Sequence, residues 1–102
     1  MSDASISGGR AAAVDILRAV ARGQLLDVAF GAVAPALPER DRGWVQEAVY
    51  GTVRLRGRLD RLLNAHLRRG TESVPPAILD LLRLGAYQLL YMGSVPAYAA
   101  VS

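Results

Sequence analysis

Arg54, Arg58 and Arg61 stand at i, i+4 and i+7, the spacing that sets side chains in one stripe along a helix. Arg68 extends the series and Tyr50 lies near its start. A guanidinium makes planar, bidentate contacts to phosphate and stacks on bases, and an aromatic neighbour adds a second stacking surface. This combination suits recognition of RNA. The competing reading is the solvated face of an amphipathic helix, with Glu47 softening the charge. A second basic patch is formed by Arg10, Arg18 and Arg22, interrupted by Asp15. Arg10 also lies near a helix N-terminus, where free backbone N–H groups and the dipole favour an anion.

Groups that could carry covalent or acid–base catalysis are sparse. There is one histidine, His66, and no cysteine, which removes disulfides, thiolate metal sites and cysteine nucleophiles. No G-x-S-x-G turn, Walker loop or G-x-G-x-x-G run is present to position a nucleophile, phosphate or cofactor. His66 sits near a helix end beside arginines and reads as structural or solvated. The carboxylates alternate with arginines as surface ion pairs do; Arg56 and Asp60, at i and i+4, read as a structural pair near Gly57. Neither a catalytic, a cofactor-binding nor a metal-binding residue is expected in this chain.

The elements that must carry the arginines follow from the apolar spacing. With 102 residues, 52% hydrophobic and 21% charged, the chain is long enough for one domain with its own core. The net charge is +3 and all twelve basic residues are arginine; the missing lysine, with the alanine excess, reads as codon bias. Residues 1–9 read as a flexible leader, neither signal nor transit peptide, and residues 10–102 as the domain. The cytoplasm is the expected compartment, and no apolar stretch reaches the roughly 20 residues that span a bilayer.

From Arg10 to Arg22, Ala13, Val14, Ile16, Leu17, Val20 and Ala21 share one helical arc, and Gly23 fits its C-cap. A short helix follows, capped by Asp27 and ending before Pro35. Over Asp41 to Arg69, Trp44, Val45, Ala48, Val49, Thr52, Leu55, Leu59, Leu62, Leu63 and Leu67 return to one face, Trp44 as core packing. Gly51 and Gly57 allow a kink or the close approach of a neighbour, so one bent helix or two is expected. Pro76 to Met92 is apolar nearly all round, with Asp80, Arg83 and Tyr87 on a narrow polar stripe, and reads as a central helix. No period-two alternation occurs, so the fold class is all-α.

Two stretches carry a family resemblance, "DRGWVQEAVYGTVRLRGRLDRLL" and "LLRLGAYQLLYMGSVPAYAAVS". They resemble the NusB family of helical RNA-binding domains, and most closely the NusB-like N-terminal domain of ribosomal RNA small subunit methyltransferase B. The motifs appear in order: Asp41 and Arg42; Tyr50, Gly51 and Arg54; Arg58, Leu59 and Asp60; Leu84 to Leu89; and Pro96 to Val101. "GGRAAAVDIL" resembles the family's first helix, with Arg10 at its arginine position. Pro38, where a capping serine is common, and Ser102, where asparagine is frequent, depart from the pattern.

The resemblance implies a NusB-like helical bundle, truncated at its C-terminus inside the helix that Pro96 opens. It implies RNA, small-subunit rRNA in particular, as partner, with Arg10, Arg18, Arg22, Tyr50, Arg54, Arg58 and Arg61 as candidate contacts. The parent would transfer a methyl group from S-adenosylmethionine to cytosine C5 using cysteines on a further domain acting in cis. A stand-alone NusB-type antitermination factor, binding RNA together with a ribosomal protein, is the other reading. A truncated bundle would also leave Leu84 and Tyr91 facing water, so self-association is expected, by patch contact or exchange of the terminal segment.

Overall fold

The computed structural model describes residues 2–92, with side chains from residue 9 onward. Its five α-helices are α1 (Ser2–Ala21), α2 (Leu26–Val33), α3 (Glu39–Arg54), α4 (Arg56–His66) and α5 (Pro76–Tyr87). Short 3₁₀ turns occupy Ala34–Ala36 and Thr71–Ser73, and a π turn, Gln88–Met92, continues α5. No strand occurs among the described residues, in keeping with the all-α expectation.

Helix α1 begins at Ser2, so the segment expected as a flexible leader continues the helix. Gly9 is buried, and a Cβ there would lie 3.8 Å from both the Trp44 ring and Val45, which shows how closely α1 approaches α3. The helix ends as expected at Gly23, whose φ of 102° suits glycine. The Gly23 N–H bonds the Val20 carbonyl and the Gln24 N–H bonds the Ala19 carbonyl, the paired bonds of a Schellman cap.

Asp27 does not cap α2. The N-cap position is Leu25, with no side-chain cap bond, and Asp27 lies in the first turn. Pro38 occupies the N-cap position of α3, also without a side-chain bond. Arg42 holds the preceding turn instead, donating to the carbonyls of Ala34 at 3.0 Å and Leu37 at 3.1 Å.

The long periodic segment is two helices, broken at Leu55 (φ −102°, ψ 17°). Gly51 is where a neighbour comes close: a Cβ there would sit 1.9 Å from Cζ of Tyr87, so only glycine admits the α5 ring against α3. The core joins Ala12, Ala13, Ile16 and Leu17 of α1 to Ala29 of α2, Val45, Ala48 and Val49 of α3, and Leu84 of α5. Each large side chain in it contributes on the order of 1.5–3 kcal/mol by leaving water.

Helix α5 differs most from expectation. Its polar stripe faces the bundle: Asp80, Arg83, Leu84 and Tyr87 are buried, while Ile78 and Leu81 are exposed. The centre is the α1–α3 pair, with α2 and α5 packed on α1 and α4 and α5 on α3. Leu84 is fully buried, against the expectation that it faces water; Tyr91 is exposed and stacks on Tyr87 with ring centroids 5.5 Å apart.

Pairing is what permits the charges inside. Arg83 Nε donates to Asp60 Oδ1 at 2.6 Å, Nη2 to Asp60 Oδ2 at 3.1 Å and Nη1 to Asp80 Oδ1 at 3.1 Å. Burial works against the guanidinium charge, but the bonds and fields of Asp60 and Asp80 outweigh it and raise the Arg83 pKa. Removing one partner from such a set leaves a buried charge uncompensated, at about 3–5 kcal/mol. The pair thus locks α4 to α5. Pro96 to Val101, including the expected truncated helix, lie outside the described residues.

Candidate nucleic-acid interface

Arg54 ends α3, while Arg58 and Arg61 lie on α4. The break at Leu55 separates them, so the stripe inferred from spacing is not carried by one continuous helix. All three are exposed and make no hydrogen bond or ion pair with another described residue. Their donors remain available to a phosphate. Arg22, beyond the last turn of α1, and Arg68 and Arg69, beyond α4, are exposed and uncommitted in the same sense.

The other expected contacts are partly engaged. Arg10 Nη2 donates to Gln88 Oε1 at 3.1 Å, tying α1 to the π turn. Arg18 Nη1 reaches Asp80 Oδ2 at 3.5 Å, a long bond that leaves most of its donors unused. At 1.5 Å per residue, about 18 Å of helix axis separates Arg10 from Arg22, so the first-helix patch is spread rather than clustered.

Tyr50 is held rather than left open as a stacking surface. Its hydroxyl donates to Asp27 Oδ1, and its ring meets the Phe30 ring edge-on, centroids 5.7 Å apart. That hydrogen bond, burial and the Asp27 charge together raise the Tyr50 phenol pKa. The contact fixes α2 on α3. It is the use the structure finds for Asp27, which local capping rules assign to the helix terminus.

His66 is exposed and its Nδ1 lies 2.9 Å from the Leu62 carbonyl of its own helix. The Arg56–Asp60 pair is present but long, at 3.9 Å, because Asp60 is spent mainly on Arg83.

Sequence spacing did not indicate a groove between α1, the start of α4 and α5. It has a volume of about 430 Å³ and is lined in part by Arg18, Arg56, Glu72 and Asp80. A smaller cavity of about 30 Å³ adjoins it and shares Arg56, Asp80 and Arg83 as walls. Thr52 lines that cavity, and its buried hydroxyl has no hydrogen-bond partner among the described residues. Thr52 fell on the apolar arc of its helix, where a hydroxyl is the one local signal of a polar need.

The NusB family model matches residues 8–102, nearly the whole chain. This chain belongs to the NusB family. Its similarity to individual relatives divides between two kinds of NusB-containing protein. A Mycobacterium tuberculosis protein that carries a methyltransferase name is 43% identical over 99 residues, covering 91% of this chain and 21% of the relative. Ribosomal RNA small subunit methyltransferase B of Pseudomonas putida is 37% identical over 93 residues, covering 90% of this chain and 21% of the relative. Transcription antitermination protein NusB of Coxiella burnetii is 37% identical over 60 residues, covering 59% of this chain and 44% of that protein. The NusB-family chain thus spans about a fifth of the methyltransferase relatives it matches. No solved structure matches it. No described helix is long and apolar enough to cross a membrane.

Proposed function

We propose that this chain is the non-catalytic RNA-binding domain of a small-subunit rRNA cytosine-C5 methyltransferase, helping to bind and position rRNA for a catalytic domain in cis. S-adenosylmethionine and the reactive cysteines belong to that domain in this reading, since the chain contains no cysteine. The observation that carries the RNA contact is the set of exposed, uncommitted arginines on both sides of the α3–α4 break, Arg54, Arg58 and Arg61. They supply phosphate contacts; Arg22 and the unused donors of Arg10 and Arg18 extend the surface along α1. Tyr50 contributes by holding α2 against α3. The methyltransferase reading is favoured over a stand-alone antitermination factor because its relatives align along 90% of the chain, against 59% for the antitermination protein.

The test is the salt dependence of RNA affinity. Each lost phosphate contact to a single strand lowers the slope of log affinity against log salt by about 0.7. Replacing Arg54 and Arg58 together by glutamine should therefore weaken binding of small-subunit rRNA fragments and reduce the slope by about 1.4. Unchanged affinity and slope in a folded double variant would return these arginines to an ordinary solvated face.

A further inference from the structure

The groove between α1, α4 and α5 differs from a basic phosphate cradle. Its volume of about 430 Å³ lies within the range of small-ligand pockets. Its lining mixes apolar residues, Ala21, Val74 and Leu79, with donors, Arg18 and Arg56, and an acceptor, Glu72. The arginine donors are weakly used: Arg18 meets Asp80 at 3.5 Å and Arg56 meets Asp60 at 3.9 Å. Glu72 is exposed and makes no ion pair or hydrogen bond with a described residue. In the small cavity that adjoins the groove, the Thr52 hydroxyl is buried without a hydrogen-bond partner among the described residues, a state that favours a bond to whatever enters. The adjoining cavity of about 30 Å³ has room for one water linking that hydroxyl to whatever lies above.

We infer that this groove receives one unstacked guanine base of the bound RNA, an inference that rests on the RNA-binding reading above. The lining carries both signs, Glu72 and Asp80 beside Arg18, Arg56 and Arg83, so it offers acceptors as well as donors, which suits a neutral base better than an acceptor-only phosphate. Apolar walls accept the faces of a base, and its edges need both donors and acceptors, as in single-stranded RNA recognition generally. Guanine matches the polar groups best. Its N1–H and N2–H donate in parallel to one carboxylate, the role of Glu72, and its O6 and N7 accept from one guanidinium, the role of Arg56 or Arg18. Adenine, with a donor beside its N7, cannot accept an arginine in that bidentate way.

The experiment measures binding of the full 102-residue chain to labelled single-stranded uridine oligonucleotides carrying a central G, A, C or U. The G oligonucleotide should bind about tenfold more tightly than the A oligonucleotide, the discrimination expected of a bidentate pair. Glu72→Gln, at an exposed position that leaves the fold intact, should bring the G oligonucleotide down to the level of A. Arg54→Gln should weaken all four alike and leave the preference for G. Equal binding of all four, or a G preference that survives Glu72→Gln, overturns the groove inference while RNA binding stands. If no oligonucleotide binds, the RNA reading fails, and titration with guanosine decides the groove alone. Amide shifts centred on Thr52, Glu72 and Asp80 then support it, and their absence overturns it.

Discussion

Replacing Gly51 by alanine sets two effects of opposite sign against each other. Alanine is favoured over glycine in a helix interior by about 1 kcal/mol, so propensity alone predicts stabilisation. The structure predicts the reverse. The new Cβ would lie 1.9 Å from Cζ, 2.1 Å from the hydroxyl oxygen and 2.5 Å from Cε1 of Tyr87, separations no pair of atoms tolerates. Tyr87 is 3% exposed, so the ring cannot move aside within the core and must leave it. Losing a buried aromatic from its site costs about 3–5 kcal/mol, which leaves a net destabilisation of about 2–4 kcal/mol. Gly43 supplies the internal control, lying on the same helix with nothing within 4 Å of its Cβ position. Urea unfolding followed by helical circular dichroism measures both variants. At a slope of about 1 kcal/mol per molar, Gly51→Ala should lower the midpoint by about 2 M or more. Gly43→Ala should raise it slightly. Adding Tyr87→Leu to Gly51→Ala should make the alanine nearly harmless, since the clash is with the ring. If Gly51→Ala is as stable as the parent, the close approach of α5 to α3 is wrong.

Tyr50 gives a pH prediction. Its phenol pKa is raised above 10.0 in the fold, first by the hydrogen bond to Asp27. The contribution to stability is therefore complete below the unfolded value and lost as pH rises through the folded one. Phenolate absorbance should show Tyr50 titrating later in the parent than in Asp27→Ala, which removes the acceptor; a titration unchanged by that substitution argues against the bond. Self-association is the last expectation. Ile78, Leu81, Leu89, Leu90 and Tyr91 are 47%, 40%, 75%, 56% and 39% exposed. They leave on the order of 500 Å² of apolar surface, at the upper end of what monomers show. That is short of the roughly 800 Å² per partner of a stable interface, so pairing with a second copy should be weak and concentration-dependent. Sedimentation should detect it and Leu81→Glu should abolish it; a parent that stays monomeric at every concentration refutes it.

The sequence by itself determined the all-α class, the α1 core face apart from the exposed Ala21, the Gly23 cap and a break within residues 41–69, at Leu55 rather than at either glycine, because these depend on local spacing and backbone freedom. The ordered motifs likewise sufficed for the family. It also marked Gly51 as a place where a neighbour could come close, without naming that neighbour. Tertiary structure alone decided which face of α5 turns inward. Hydropathy sends Ile78 and Leu81 inside and Arg83 out, but Asp60, from a different helix, neutralises Arg83 and reverses the choice. For the same reason Asp27 holds Tyr50 rather than its own helix end, and Arg18 leans on Asp80. The small cavity at Thr52 arises from α1, α3, α4 and α5 together, and no periodicity within one helix records it. Arg83 has one partner three residues away, Asp80, but the one that ties it to another helix, Asp60, lies 23 residues away, and the partner of Arg18 lies 62 away. Local patterns reach only a turn or two along the chain, so these long-range pairings are outside what they encode.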